Sequence, residues 1–219
     1  MLDNIDWEVV QLALPLLTEG LWNTVRITVL AIVIGTLAGF LLGLMSVSRV
    51  KILEWVIAAY VDFVRGTPLL IQIFLVYFAL PVIGIEVGEY WAGVLALSFN
   101  AAGFIAEVVR AGIGSIDVGQ TEAAKSIGMT YRQILVHILL PQIYRPILPP
   151  LTNELITLVK GSALLSVISV YELTRAGQAV ISQYFVPLEI YTLLALYYYV
   201  LISLLTRLSR WLERKVLAY

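Results

Sequence analysis

Residues 121–142 read TEAAKSIGMTYRQILVHILLPQ, a polar stretch between apolar runs that are long enough to cross a membrane. Residues 122–126 are good or tolerable helix formers, and Gly128 interrupts them. Thr130 and Gln133 then have the spacing of a capping box, which is typical of the first turn of a helix. The stretch therefore predicts two short helices joined at a glycine.

The spacing of the same stretch resembles the EAA motif of ABC-importer permeases. The matching residues are Glu122, Ala123, Ala124, Gly128, Ile138, Leu140 and Pro141. In that family the loop is the coupling helix, which seats in a groove of the ATPase subunit, so the resemblance implies ATPase contact here. An ordinary cytosolic loop helix is the alternative, since Glu-Ala-Ala alone is common by chance. In either case Pro141 is expected to end the second short helix.

The composition is that of a membrane protein. The chain has 219 residues, of which 60% are hydrophobic and 13% charged, whereas soluble domains carry about 25% charged residues. A net charge of −1 argues against a nucleic-acid partner, which needs a basic face. Cysteine is absent and His137 is the only histidine, so Cys-ligated zinc is excluded and no metal site is expected. No phosphate-binding loop of the G-x-x-x-x-G-K-[ST] type occurs, so no bound cofactor is expected on this chain.

Hydropathy predicts an all-α membrane protein, with residues 1–219 forming a single transmembrane domain. The five predicted spans cover about residues 21–47, 52–83, 90–111, 147–170 and 188–208, with a loop over about 112–146. The second span is flawed at Arg65-Gly66-Thr67-Pro68 and is expected to bend there. Amphipathic residues 8–20 are expected to lie along the membrane surface before the first span.

The distribution of charge predicts the orientation. Basic residues gather at one set of span ends: Arg49, Lys51, Arg110, Lys125, Arg132, Arg145, Arg207, Arg210, Arg214 and Lys215. Acidic residues dominate the other faces: Asp3, Asp6, Glu8, Glu19, Glu86, Glu89, Glu172 and Glu189, with Arg175 as the base among them. The positive-inside rule then places the N-terminus outside and the C-terminus in the cytoplasm. Residues 121–142 fall on the inside, where an ATPase can reach them.

Polar residues inside the spans are costly unless they face a partner or a cavity. The candidate solute-binding residues are Glu154, Asn153, Asn100, Thr67, Pro68 and Gln72. Asn153, Thr157 and Lys160 share one helix face, while Thr67 and Pro68 mark the interrupted span, whose freed N–H groups can hold a charged solute.

Several of these polar residues also have structural interpretations. Glu107 is favoured as an ion pair with Arg110, and Arg65 can pair with Asp62. Asn100 can serve as helix-to-helix glue.

The sequence does not decide which groups pair with Lys160 and Glu154. Lys160 can snorkel to the interface or face inward. Glu154 has no base one turn away, so either an internal base such as Lys160 or a cationic solute must neutralise it. If the solute neutralises Glu154, arginine, lysine or histidine is favoured over glutamine, and glutamine is favoured over acidic amino acids.

Gly35, Gly39 and Gly43 repeat every fourth residue on the first span. Small residues on one helix face allow another backbone to approach closely. The neighbour can lie in this chain or in a second copy.

Further motifs resemble the polar amino-acid permeases of the HisMQ type. They are Arg65-Gly66-Thr67-Pro68-Leu69-Leu70, Gln72-Ile73-Phe74, Ile105-Ala106-Glu107-Val108-Val109-Arg110, Leu140-Pro141-Gln142, Asn153-Glu154, Glu172-Leu173-Thr174-Arg175 and Gly177-Gln178. The resemblance covers roughly residues 15–210. It implies a five-helix subunit of the cytoplasmic (inner) membrane and a permease dimer of identical copies or close paralogues. It also implies two ATPase subunits that carry ATP and Mg²⁺, and an external binding protein that delivers an amino acid. The alternatives are a secondary transporter, for which inverted repeats are missing, and a structural membrane subunit, which would not need the coupling motif.

Overall fold

The computed structural model of the chain describes residues 6–48 and 50–217, so Asp3 and Arg49 of the orientation argument lie outside the described residues. Within these ranges the chain is helical and contains no strand. The α-helices are α1 (Trp7–Met45), α2 (Lys51–Gly66), α3 (Leu69–Val82), α4 (Glu89–Gly114), α5 (Val118–Ser126), α6 (Tyr131–Ile134), α7 (Leu140–Gly161), α8 (Leu173–Tyr184) and α9 (Pro187–Leu217). A π-helical segment, Leu135–Leu139, joins α6 to α7, and a 3₁₀ segment, Ser162–Ile168, follows α7.

The prediction of an all-α membrane protein is confirmed. Four helical stretches of the described chain are long and apolar enough to cross a membrane: Trp7–Met45, Glu89–Gly114, Tyr131–Ile168 and Pro187–Val216. The pair α2 and α3 passes the same test only when taken together, and its two helices are bent by 116° at the break. The interruption expected in the second span is therefore present.

Helix α4 is the centre of the bundle and packs along α1. Gly35, Gly39 and Gly43 of α1 are buried against it. A Cβ atom on Gly39 would lie 2.7 Å from the carbonyl oxygen of Ala102, which is closer than real Cβ contacts come. The glycine repeat therefore serves a contact within this chain, because only glycine allows the two backbones to approach so closely.

The first helix differs from the prediction for residues 8–20. These residues do not form a separate surface helix, since α1 runs unbroken from Trp7 to Met45 with Pro15 inside it. Val9, Ala13 and Leu17 are buried in a cluster with residues of α8 and α9. Because this packing buries one face of residues 8–20 against the bundle, the segment is helical and continuous with the first span.

The prediction that Pro141 ends the second short helix is wrong. The helix that starts at Tyr131 continues through Pro141 to the end of α7. Just before the proline the helix widens into a π turn, in which the N–H of Leu140 donates to the carbonyl of Leu135. A proline removes the i to i−4 bond at its position, and a local widening of the helix accommodates the change without ending it.

Candidate functional site

The break between α2 and α3 lies at Thr67 and Pro68. Both residues are extended, and Pro68 directly precedes the first residue of α3. Because proline has no N–H, the carbonyl of Val64, four residues earlier, loses its helical donor. The Thr67 hydroxyl donates to the carbonyl of Phe63 at 2.8 Å and so satisfies one acceptor of the last turn of α2.

Gln72 spans the break from the α3 side. Its Nε2 donates to the carbonyl oxygen of Val64 at 2.8 Å, to the Thr67 carbonyl at 3.1 Å and to the Thr67 hydroxyl at 3.0 Å. Its Oε1 accepts from Nδ2 of Asn100 on α4 at 2.9 Å. Gln72 is 1% exposed and Asn100 6%. Both predicted solute-binding amides therefore lie inside the protein and are hydrogen-bonded to it.

The polar face predicted on α7 is present. Asn153, Thr157 and Lys160 are all exposed, one turn apart, on a helix of membrane length. Glu154 beside them is half-buried, and its Oε1 is buried without a hydrogen-bond partner in the described chain. Glu154 and Lys160 also form no salt bridge with each other or with any described residue. An unpaired buried carboxylate oxygen is expensive, so this face is incomplete as it stands.

The α7 face and the break meet at one end. A Cβ atom on Gly161 would lie 2.7 Å from Cδ2 of Leu69, the first residue of α3. Lys160 is therefore next to the start of α3, and Glu154 lies about 10 Å away along α7, from the rise of 1.5 Å per residue. The first N–H groups of α3 have no partner within that helix. The end of α7 thus lies against the start of α3, and Glu154 follows about two turns back along α7.

A cavity of about 310 Å³ that contains several charged side chains lies between α2 and α4. Glu107 accepts two hydrogen bonds from Arg110, at 2.7 and 2.8 Å, which confirms the predicted ion pair. Arg65 pairs with Glu107 at 3.5 Å and not with Asp62 as the sequence indicated. The reason is tertiary: α2 packs against α4, so a carboxylate on the neighbouring helix is closer than the one on the preceding turn. Asp62 lines the same cavity and is exposed.

The loop between α4 and α7 forms the predicted pair of short helices. Helix α5 ends at Ser126, Gly128 has a φ of +81°, and α6 begins after Thr130 with both halves of the capping box made with Gln133. The joint and its surroundings are open, because a Cβ on Gly128 would meet no atom within 4 Å. Glycine is needed there for its positive φ and not for lack of space.

Most of this loop is free to contact another protein. Glu122, Ala123 and Pro141 are exposed, Leu140 is half-buried, and Ala124 is buried against the bundle. The Tyr131 hydroxyl donates to the backbone carbonyl of Val47, just beyond the end of α1. This contact ties the loop to the adjacent turn of the bundle. The loop is thus an exposed projection held on a fixed base.

The structural role of Glu172 was not predicted from the sequence. This carboxylate is fully buried and caps α8, accepting from the backbone N–H groups of Thr174 at 3.0 Å and Arg175 at 2.7 Å. The Tyr198 hydroxyl of α9 donates to it at 3.0 Å. Burial raises the pKa of the Glu172 carboxyl above its ordinary value, although these donors oppose the shift. The Glu-Leu-Thr-Arg sequence carried the signal, since a Glu before a helical segment can cap its first turn.

Interrupted membrane helices, together with polar residues in other spans, are typical of transport proteins, in which freed backbone groups hold a charged solute. The chain belongs to the family of binding-protein-dependent transport system inner membrane components, which it matches over residues 9–218.

Relatives and a solved structure agree along nearly the whole chain. The arginine transport system permease protein ArtQ of Bacillus subtilis is 38% identical, and the match covers 97% of this chain and 98% of the relative. The probable glutamine ABC transporter permease protein GlnM of Bacillus subtilis is 37% identical over 90% of this chain and 92% of its own. The crystal structure of an amino acid ABC transporter with histidines superposes with a TM-score of 0.89 at 37% identity, covering 97% of this chain and 99% of that chain. The fold is therefore that of an ABC-importer permease.

Proposed function

We propose that the chain is the permease subunit of an ATP-driven importer that carries a basic amino acid, arginine, lysine or histidine, across the cytoplasmic membrane. One observation carries the choice of solute: the Glu154 Oε1 is buried in a membrane span and has no partner in the described chain. A cationic side chain of the solute would neutralise that carboxylate and offset its burial.

The rest of an amino acid would find complementary groups at the start of α3 and at the end of α7. The α-carboxylate would bind the first N–H groups of α3 behind Thr67 and Pro68, where the partial positive charge of the helix start lies. Lys160, which has no salt bridge in the described chain, would assist from the end of α7. Asn153 would complete the hydrogen bonds beside Glu154. Gln72 and Asn100 belong to the same site from behind the break.

Coupling to ATP hydrolysis would occur through the projecting loop. Exposed Glu122 and Ala123, the Gly128 joint and the first residues of α7, Leu140 and Pro141, would form the surface offered to an ATPase dimer. The ATP and Mg²⁺ would be held by that partner. The family description, a binding-protein-dependent transport system, supports delivery of the solute by an external binding protein.

The exposed polar face of α7 supports a second permease copy, identical or closely related. Exposed Asn153, Thr157 and Lys160 would be costly against lipid, so an aqueous path between two copies is the natural environment for them. In this arrangement the N-terminus lies outside and the C-terminus in the cytoplasm.

A neutral polar solute such as glutamine is the second candidate, favoured by the similarity to the glutamine permease. It would need Glu154 to be neutralised by a base from the second copy. To decide, the permease is co-expressed with its ATPase and binding protein, reconstituted in vesicles and assayed for uptake of arginine, glutamine and glutamate. We expect arginine to be transported best. Preferential glutamine uptake would favour the neutral solute, and ATP-independent uptake would contradict the importer altogether.

A further inference from the structure

Gln72 has a role that its predicted contact with solute does not describe. We infer that it is a positioning residue, which fixes the bend between α2 and α3 and thereby aims the start of α3 at the solute path. The inference rests on the proposed function, because it concerns the geometry of the same site.

In an unbroken helix the N–H at position 68 would donate to the Val64 carbonyl. Proline has no such donor, yet the Val64 carbonyl is paired, because the Gln72 Nε2 lies 2.8 Å away. The side-chain amide of Gln72 therefore replaces the missing backbone donor. The same Nε2 lies 3.1 Å from the Thr67 carbonyl, the other carbonyl oxygen of the break that it reaches.

The orientation of the Gln72 amide is fixed by its surroundings. Its nitrogen donates to two carbonyl oxygens. If the amide were flipped by 180°, its own oxygen would face those two carbonyl oxygens and no hydrogen bond could form. Its Oε1 then faces the Asn100 Nδ2 at 2.9 Å, and this bond attaches the break to α4. With 1% of Gln72 exposed, water cannot replace these partners. The Gln72 side chain, on α3, is thus hydrogen-bonded to α2 across the 116° bend and also to α4, the most buried of the membrane-length helices.

The bend sets the direction of the first N–H groups of α3, and this direction matters for transport. Leu69, at the start of α3, touches the end of α7 beside Lys160, so the angle of α3 decides where its free N–H groups point. These groups would bind the α-carboxylate, which every amino acid has. Loss of the Gln72 bonds should therefore weaken all amino acids alike, whereas loss of Glu154 should weaken only basic ones.

The test compares three variants in the complete transporter, reconstituted with ATPase and binding protein. Gln72→Met has nearly the same shape without donor or acceptor. Pro68→Ala combined with Gln72→Met returns a backbone donor to the Val64 carbonyl but lets the two helices straighten. Thr206→Val, which removes only a local hydroxyl bond to the Ile202 carbonyl on α9, is the control.

We expect Gln72→Met to raise the KM for uptake of basic and neutral amino acids about tenfold, the equivalent of roughly 1.4 kcal/mol. All properties of the Thr206→Val control should stay unchanged. The double variant should regain part of the melting temperature lost in Gln72→Met, because the Val64 carbonyl is paired again, while its KM stays high. A wild-type KM in Gln72→Met would overturn the inference. So would recovery of KM together with stability in the double variant, because a merely structural role predicts that result.

The two proposals fail separately in this experiment. Which solute the wild-type complex carries decides the proposed function. The ratio of KM between Gln72→Met and wild type decides the inference, for whatever solute the complex carries.

Discussion

The side-chain nitrogen of Gln72 lies 2.8 Å from the backbone carbonyl of Val64, at the place in the helix where Pro68 has no N–H to offer. A bent membrane span must satisfy the polar groups that the bend exposes, because hydrocarbon offers them no partner. Here one glutamine does so, with Asn100 behind it. The bend is therefore a built element of the bundle, and it leaves the start of α3 free for other contacts.

The Gln72–Asn100 pair should show strong energetic coupling. Asn100→Leu removes one donor and should destabilise the protein by roughly 1–3 kcal/mol, because the Gln72 Oε1 is left buried and unpaired. Gln72→Met strands more groups and should destabilise it further. The double variant should lose less stability than the sum of the losses in the two single variants, because neither partner of the bond remains unpaired. Thermal unfolding of the four proteins in detergent measures the cycle, and strictly additive losses would show that the pair does not interact.

The positive φ of Gly128 makes a second prediction. Because the space around it is open, a side chain there is disfavoured by backbone conformation alone, by roughly 1–2 kcal/mol for a residue that avoids positive φ. Gly128→Val should therefore uncouple ATP hydrolysis from uptake, or lose the ATPase, while the protein still inserts. Gly128→Asn should retain activity, since asparagine tolerates this conformation.

Gly114→Val is the matched control for this experiment. Gly114 ends α4 in equally open space but without a positive φ, so its replacement should be tolerated. Solute-stimulated ATPase activity at the wild-type level in Gly128→Val would contradict the assignment of this loop to coupling.

Residue accessibility tests the proposed orientation. Glu89 and Ser126 are both exposed, at opposite ends of the α4–α5 segment. The absence of cysteine makes single introduced cysteines easy to detect. In intact cells, an impermeant thiol reagent should label Glu89→Cys and not Ser126→Cys, whereas both should react after the membrane is permeabilised. Reversed labelling would place the coupling loop outside and remove the proposed contact with the ATPase.

The buried Glu172 predicts a pH dependence of stability. Because burial raises its pKa in the folded protein, folding takes up a proton between the ordinary glutamate pKa, about 4.3, and the raised value. Within that window stability should increase as the pH falls and be lost as the pH rises through the raised pKa. Melting temperatures of wild type and Glu172→Gln should converge at low pH, where the protonated Glu172 resembles glutamine, and the wild type should fall below the variant as the pH rises. Glu189→Gln, a change in the first turn of α9, should follow the wild type, and a Glu172→Gln profile parallel to wild type would refute the prediction.

Local sequence was sufficient for the coupling loop. The capping box at Thr130 and the break at Gly128 depend on residues within a few positions of each other, so composition and spacing identified both. The same local rule failed at Pro141, since the π turn before it depends on how the helix packs as a whole. Short-range patterns thus predicted where helices begin better than where they end.

For contacts between helices, the sequence indicated which residue types take part but not which residues pair. Polar residues within the spans were recognised as a group, but the sequence does not show that Gln72 reaches back across a 116° bend. For the same reason Arg65 was assigned to Asp62 on its own helix, while the structure pairs it with Glu107 of α4. The capping of α8 by Glu172 could have been predicted from the local sequence, whereas its third donor, Tyr198, comes from another helix and could not.

The central claim is that Glu154 selects a cationic solute, and one measurement tests it most directly. Uptake and solute-dependent ATPase activity are measured for wild type and Glu154→Gln with arginine, glutamine and glutamate. Loss of a charge-assisted contact amounts to roughly 1.5–3 kcal/mol, so the apparent affinity for arginine should fall about tenfold or more while that for glutamine stays constant. Asn153→Leu, the neighbouring residue on α7, is the control for a general disturbance of this helix, and it should change the apparent affinity for all three solutes alike. An equal loss for every solute in Glu154→Gln, or no loss for arginine, would contradict the claim.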